Sequence, residues 1–221
     1  MSLHYLRSVL LATFALSMAA FAQRNVTTDG PFQVRYASNL NVGDSVINIT
    51  NSGARGAGLA AGTSAATTGA ICVNVYAFSP DEQMISCCSC PVTPNGLVSL
   101  SARQDLISNT LTPAVPTSIV VKLLASTPQG GSCSSSAASP LGPTDTPRTF
   151  PSGMLAYGTT VHAAAAAGSD PAITETQFAP ATLSDGEFNR LRDLCTFINA
   201  NGSGFGICRS CRLGGLGAGR L

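Results

Sequence analysis

Apolar and polar positions alternate along the first half of the chain and predict short β-strands. Residues 32–36 alternate between the two classes, and the β-branched segment 45–50 follows a turn at 41–44. Side chains on a strand point in turn to two faces, so this spacing is typical of a strand with one buried face. We therefore predict a half-buried strand in each segment.

Residues 70–78 carry the strongest strand pattern, and a turn at 79–82 follows them. Residues 83–90 are then expected to return antiparallel and complete a hairpin. A four-residue turn would place Cys72 near Ser89, within diagonal reach of Cys88 or Cys90. Proline lacks a backbone donor, so Pro91 is expected to end the returning strand.

Further strands are predicted at 97–101 and 118–124, and the second is apolar almost throughout, which favours a central position in a sheet. Residues 53–70 are rich in Gly, Ala and Thr without periodicity, and we interpret them as a loop. Short strands, frequent turns and few helix signals predict a mainly β fold. We expect an antiparallel β-sandwich, Ig-like or jelly-roll-like.

One helix is predicted near the C-terminus, at about 185–200. Ser184 and Glu187 have the spacing of a capping box, and Asn201-Gly202 can end the helix in the left-handed conformation. Cys195 lies on the apolar stripe of this helix, and we expect this stripe to pack against the predicted β-sheets. The other members of that stripe are Phe188, Leu191, Leu194 and Ile198.

The N-terminus has the pattern of a secretory signal peptide. His4 and Arg7 precede an uncharged apolar run at 9–22, which ends in the small-x-small site Ala-Phe-Ala. We predict a signal peptide at 1–22, with an uncleaved N-terminal anchor as the alternative. We expect 23–221 to form a single β-rich domain, interrupted by a Ser/Pro/Gly-rich excursion at about 126–151.

Charge is nearly balanced after removal of residues 1–22. The chain has 12 basic and 11 acidic side chains, and Arg7 belongs to the predicted signal peptide. The low charge and the lack of a basic patch argue against nucleic acid and anionic membrane surfaces as partners. No later segment is long and apolar enough to span a bilayer. Self-association or a cell-surface partner is the kind of interaction that this composition favours.

Eight cysteines follow the predicted signal peptide, and an even number in an exported chain indicates disulfides. On a strand, Cys88 and Cys90 would share one face and Cys87 would occupy the other. We expect the hairpin cysteines to form disulfides with cysteines of the C-terminal helix and tail. Cys72 is expected to bond Cys88 or Cys90, and Cys133 to form a disulfide that anchors the excursion at 126–151. Eight cysteines allow 105 pairings, so spacing alone does not fix the connectivity. The disulfide candidates are Cys72, Cys87, Cys88, Cys90, Cys133, Cys195, Cys208 and Cys211.

Two other uses of the cysteines remain open. Cys208 and Cys211 have C-x-x-C spacing, as do Cys87 and Cys90, and four such thiolates could bind zinc tetrahedrally. Alternatively, Cys208 and Cys211 could form a redox-active dithiol beside Arg209. The oxidising compartment and the lack of a βαβ context favour structural disulfides over both.

No catalytic motif accompanies the remaining chemical groups. His162 is the only histidine after residue 22, and no G-x-S-x-G or H-E-x-x-H pattern occurs with it. Asp81 and Glu82 are adjacent at a turn tip, where solvation explains them better than acid–base chemistry does. We therefore predict no catalytic residue, no cofactor and no metal.

Segments 71–83 and 87–96 carry the motifs ICVNVYAFSPDEQ, CCSC and TPNG, and 201–211 carries N-G-S-x-x-G-I-C-x-S-C in the form NGSGFGICRSC. These motifs resemble a family of secreted, cysteine-rich bacterial proteins without an established activity. The similarity covers most of the chain after residue 22 and is weakest at 126–170. The resemblance implies a bacterial, secreted setting and assigns no catalytic residue.

Together these patterns predict a secreted structural or binding protein of the cell surface or extracellular matrix, stabilised by disulfides. An exported thiol-redox or zinc-binding protein, using Cys208 and Cys211 with the cluster at 87–90, is the alternative. The first function predicts no reactive thiol in the native protein.

Overall fold

The computed structural model describes residues 30–56, 69–128, 133, 150–165, 169–208 and the backbone of 212–213. The predicted signal peptide and most of the predicted loop at 53–70 and excursion at 126–151 lie outside these residues. The strands are β1 Phe32–Ala37, β2 Val46–Asn51, β3 Ile71–Phe78, β4 Met84–Val92, β5 Leu97–Ser101, β6 Ile119–Ser126, β7 Met154–Val161, β8 Ile173–Gln177, β9 Ala179–Pro180 and β10 Arg212–Leu213. A π-helical turn, Ala102–Leu106, follows β5, and one α-helix, α1, spans Asp185–Ala200.

The strands form two five-stranded antiparallel sheets, which confirms the predicted β-sandwich. The first sheet, sheet A, has the order β4-β3-β6-β1-β9, and the second, sheet B, has the order β10-β5-β2-β7-β8. Strand β6 lies at the centre of sheet A, as its apolar sequence predicted. The strand at 83–90 returns antiparallel to β3, so the predicted hairpin is present.

Apolar side chains of the two sheets meet in one core. Val75 and Leu123 of sheet A and Ile47 and Ile49 of sheet B are inaccessible to solvent and belong to the same buried cluster. Each of these residues alternates with a more polar neighbour along its strand, or lies on a central strand with both faces covered. Burial of this shared face is the main stabilisation of the sandwich.

Helix α1 covers the outer face of sheet A. Its buried residues pack with Phe32, Tyr76, Phe78 and Leu124 of that sheet in a second apolar cluster. The buried helix residues are Phe188, Leu191, Cys195 and Ile198, which confirms most of the predicted stripe, while Leu194 is half-buried.

The start of α1 confirms half of the predicted capping box. The Ser184 hydroxyl accepts a hydrogen bond from the Glu187 amide at 3.2 Å. The Glu187 carboxylate instead binds the Lys122 ammonium on β6, with Nζ and Oε1 2.5 Å apart. The sequence therefore located the helix, but this glutamate ties the helix to the sheet.

The register of the β3–β4 hairpin differs from the prediction by two residues. Cys72 pairs with Pro91 instead of Ser89. The loop between the strands is one residue longer than expected, and an irregularity between Ala77 and Phe78 adds a second shift. Pro91 does not end the strand, because β4 is an edge strand whose outer side needs no proline donor.

The C-terminal tail covers part of the open edge of β4. The Cys87 amide donates to the Gly206 carbonyl at 2.8 Å, and the Cys208 amide donates to the Cys87 carbonyl at 3.3 Å. Ile207 forms a parallel bridge with Cys87. Unpaired strand edges recruit other chains, so this contact protects sheet A from strand addition.

A buried arginine links the two sheets near β8. Arg35 of β1 is 8% exposed, and its guanidinium donates to three hydroxyl groups of the sheet B side. The acceptors are Thr160 Oγ1 at 2.7 Å, Ser45 Oγ at 3.3 Å and Thr176 Oγ1 at 3.3 Å. Burial lowers the pKa of Arg35, and the nearby Glu175 carboxylate partly opposes that shift.

None of the described helices has the length and apolar character that a membrane span requires.

Candidate ligand-binding groove

Three disulfides join cysteines within the described residues. The predicted disulfides from the hairpin to the helix and to the tail are present. Cys87 of β4 bonds the helix, and Cys88 bonds the tail from the opposite face of the strand. The predicted bond of Cys72 into this cluster is wrong. The shifted register places Cys72 opposite Pro91, and its sulfur bonds the excursion instead. The pairs are Cys72–Cys133, Cys87–Cys195 and Cys88–Cys208.

Cys90 is also disulfide-bonded, and its partner lies outside the described residues. The three pairs and Cys90 account for every cysteine of the chain except Cys211. We therefore expect Cys90 to bond Cys211, so that proteolysis of the non-reduced protein leaves the peptide with Cys211 linked to the peptide that carries Cys87, Cys88 and Cys90. Mass spectrometry with and without reductant checks this assignment. A Cys211 thiol that reacts with iodoacetamide in the native protein would contradict it.

The redox and zinc alternatives both require a thiolate at Cys208. In the structure the sulfur of Cys208 bonds Cys88, and this cysteine is only 9% exposed. Among the described residues, no group of three or more His, Cys, Asp or Glu side chains has the arrangement of a metal site. Cys211 lies outside the described residues.

The other polar residues singled out by the sequence lie at the surface. His162 follows β7, is exposed, and has its Nε2 atom 2.9 Å from the Thr174 hydroxyl. Asp81 and Glu82 are exposed in the β3–β4 loop, where Asp81 accepts a hydrogen bond from Ser79. His162 lies after β7 and the two carboxylates lie in the β3–β4 loop, so the structure does not join them in a catalytic pair.

A groove lies where the β3–β4 loop projects beside helix α1. It consists of two cavities, of about 290 and 310 Å³, which share Glu82 and Arg190. Cavities of this size are at the lower end of those that bind small molecules. We name the first the hairpin cavity; its other lining residues are Phe78, Ser79, Pro80, Val120 and Lys122. We name the second the helix cavity; its other lining residues are Gln83, Met84, Leu111, Leu194, Phe197 and Ile198.

The loop wall of the groove is held by its own backbone. The Ser79 amide donates to the Gln83 carbonyl at 2.9 Å, and the Glu82 amide donates to the Ser79 carbonyl at 3.0 Å. Glu82 has a φ of +67°, a left-handed conformation that this tight loop imposes. The loop therefore presents a fixed wall to the groove.

The helix wall is bonded covalently to strand β4 of the hairpin. Cys195 of α1 is joined to Cys87 of β4, and both residues are buried in the apolar cluster under the helix. This bond fixes the distance between helix and hairpin, and hence the width of the groove. The cysteine cluster thus acts on the candidate site through the position of α1.

Two cations lie around one aromatic ring in the hairpin cavity. The Lys122 ammonium is 4.8 Å and the Arg190 guanidinium carbon 5.7 Å from the Phe78 ring centroid. Both distances are within the range of cation–π attraction. Lys122 is paired with Glu187, whereas Arg190 donates to the Glu82 backbone carbonyl at 3.2 Å. Arg190 takes part in neither of the two ion pairs among the described residues.

The groove can hold a ligand, and its lining residues offer few groups that are suited to catalysis. The side chains around both cavities are apolar, hydroxyl, amide, carboxylate or basic, and they include neither histidine nor cysteine. Tyr76, under the helix, is fully enclosed, and burial raises the pKa of its phenol. An apolar groove with an available guanidinium is suited to recognition of an amphiphilic ligand.

Sequence reasoning missed the groove residues Phe78, Lys122 and Arg190. They come from separate elements, and no short motif joins them. One signal was available: Lys122 is the only lysine of the chain and lies within an apolar strand segment. A cation in such a position requires a partner on the covering layer, and Glu187 is that partner.

Comparison of the chain with protein-family models, with curated proteins and with solved structures found no match.

Proposed function

We propose that the protein is a secreted binding protein of the cell surface or extracellular matrix, which holds its ligand in the groove. The disulfides support an oxidising compartment, where such bonds persist. The low net charge and the shape of the groove favour a small extracellular ligand over nucleic acid.

One observation carries this proposal. The two walls of the groove are pre-formed, one by the hydrogen-bonded loop and the other by the helix bonded through Cys87–Cys195. A site that is already ordered loses little conformational entropy when a ligand binds. The same rigidity is less useful for a protein whose only task is to link other components.

The proposal is tested with the fluorescent dye 8-anilinonaphthalene-1-sulfonate, which combines an apolar body with an anion. We expect saturable binding to the native protein and a loss of affinity of about tenfold in F197E, because a charge replaces an apolar side chain of the helix cavity. Phe197 is 63% exposed, so this change should leave the fold intact.

F205E is the matched control, because Phe205 is 54% exposed and lines neither cavity. Circular dichroism melting curves establish that both variants are folded. Dye affinity that is unchanged in F197E, or equally reduced in F205E, would reject the groove as the binding site.

A further inference from the structure

We propose that the groove binds an amphiphilic carboxylate, with an unbranched apolar chain in the helix cavity and its carboxylate on Arg190. This inference rests on the proposed function and specifies the class of ligand. It follows from three features of the groove. These are a cation that forms no ion pair, the apolar lining beside it, and a loop wall whose backbone amides and carbonyls already have hydrogen-bond partners.

The first feature is the state of Arg190. Its guanidinium lies between the two cavities, where it donates to one backbone carbonyl and faces the Phe78 ring. A guanidinium has five N–H donors and binds a carboxylate with two parallel hydrogen bonds. Donors therefore remain for a ligand at the junction of the cavities.

The second feature is the charge around this position. The charge of Lys122 is compensated by Glu187. The Glu82 side chain is exposed at the rim of the groove, and the backbone carbonyl of Glu82 accepts a hydrogen bond from Arg190. Arg190 forms no ion pair among the described residues, and a monoanion bound to it leaves a smaller excess of negative charge in the groove than a phosphate group with two charges would. A carboxylate is the simplest ligand group that fits this balance.

The third feature is the lining of the helix cavity beyond Arg190. The side chains there are mainly aliphatic or aromatic, and Phe197 remains largely exposed. An aliphatic chain placed on this surface would be removed from water, at a gain of about 25 cal/mol per Å² of apolar area. The accessible apolar surface is that of Leu111, Leu194 and Phe197, while Met84 and Ile198 are buried beneath it.

The loop wall argues against an extended peptide as the occupant. Peptides that add to a protein edge gain affinity from main-chain hydrogen bonds. Here the Ser79 and Glu82 amides and the Gln83 and Glu82 carbonyls already have partners. The wall therefore offers few backbone groups to a peptide, whereas an aliphatic chain needs none.

The test compares octanoate, 1-octanol and octylammonium by titration calorimetry on the full, oxidised protein. These probes share the apolar chain and differ in the head group. We expect octanoate to bind about tenfold more tightly than either of the others, the size of one charge-assisted hydrogen-bonding contact. In R190Q this preference should disappear, while the affinity for octanol stays within twofold.

R192Q is the control on the same helix, because Arg192 is paired with Asp193 and lines neither cavity. It should leave all three affinities unchanged. E82Q removes a carboxylate from the rim and should tighten octanoate binding more in the wild-type background than in R190Q, a coupling that a purely structural role of Arg190 would not produce.

The outcomes separate this inference from the function on which it rests. Equal affinities for octanoate and octanol, with dye binding still sensitive to F197E, would contradict the proposal that the ligand carries a carboxylate. The groove would then remain a binding site for another class of ligand. Binding of none of the three probes would overturn the inference outright. Dye binding that is also insensitive to F197E would then remove the proposed function as well.

Discussion

Replacing Cys87 and Cys195 together with alanine is expected to lower the free energy of unfolding by about 3 kcal/mol, because with Cys88–Cys208 intact the bond closes a loop of about 15 residues in the unfolded chain. Both residues are also buried beneath α1, so their removal loosens the helix from sheet A. Urea denaturation followed by circular dichroism measures the loss. A change below about 1 kcal/mol would contradict a stabilising role for this disulfide.

The double alanine variant of Cys72 and Cys133 is the matched control. Its loop is longer, with a separation of 61 residues, and chain entropy alone predicts a loss that is larger by about 1 kcal/mol. The two variants should differ much more in ligand binding. Dye affinity should fall in the Cys87/Cys195 variant, where the helix wall is released, and persist in the control.

The second large effect is expected at Gly158, whose backbone lies against the buried guanidinium of Arg35. A Cβ atom at this position would be 2.7 Å from three guanidinium atoms, closer than real side chains approach. The guanidinium cannot move aside easily, because three hydroxyls hold it between the sheets. We expect G158A to lower the free energy of unfolding by about 2 kcal/mol, as overpacked cores do.

Two further variants test the cause of this loss. G186A adds the same methyl group at a helix position whose nearest neighbour is 4.0 Å away, and it should raise stability by about 0.5 kcal/mol. In R35M the flexible thioether replaces the fixed guanidinium, so the cost of G158A should shrink in that background. Additive effects of G158A and R35M in a double-mutant cycle would disprove the clash.

Local patterns were sufficient to predict the elements that carry a regular period. The strand at 70–78 and the helix at 185–200 are predictable because apolar residues recur at two- or three-to-four-residue spacing, and the strand at 118–124 because it is apolar almost throughout. The N-cap at Ser184 and the left-handed glycine at 202 set the helix ends, and the structure has Ser184 as N-cap and a φ of +65° at Gly202. These signals act over a few residues.

Features that depend on register or on long-range packing were not predictable. The prediction for Cys72 is wrong because Cys72 lies on the face of sheet A that carries α1, whereas Cys88 and Cys90 lie on the core face. Residues 32–36 alternate as a half-buried strand does, yet the polar Arg35 is buried among hydroxyls of the other sheet. The groove was missed for the same reason, since residues far apart in sequence meet only after α1 packs on sheet A.

The crossed pattern of the disulfides sets the order in which the molecule can be completed. Cys87, Cys88 and Cys90 all lie between Cys72 and its partner, and two of the closures wait for residues 108 and 120 positions further along. A chain that oxidised its cysteines in order of synthesis would first join the wrong neighbours. Correct pairing therefore requires that Cys87 and Cys88 stay unpaired, or exchange their first partners, until Cys195 and Cys208 have been synthesised, so the helix and the tail are fastened after the β3–β4 hairpin.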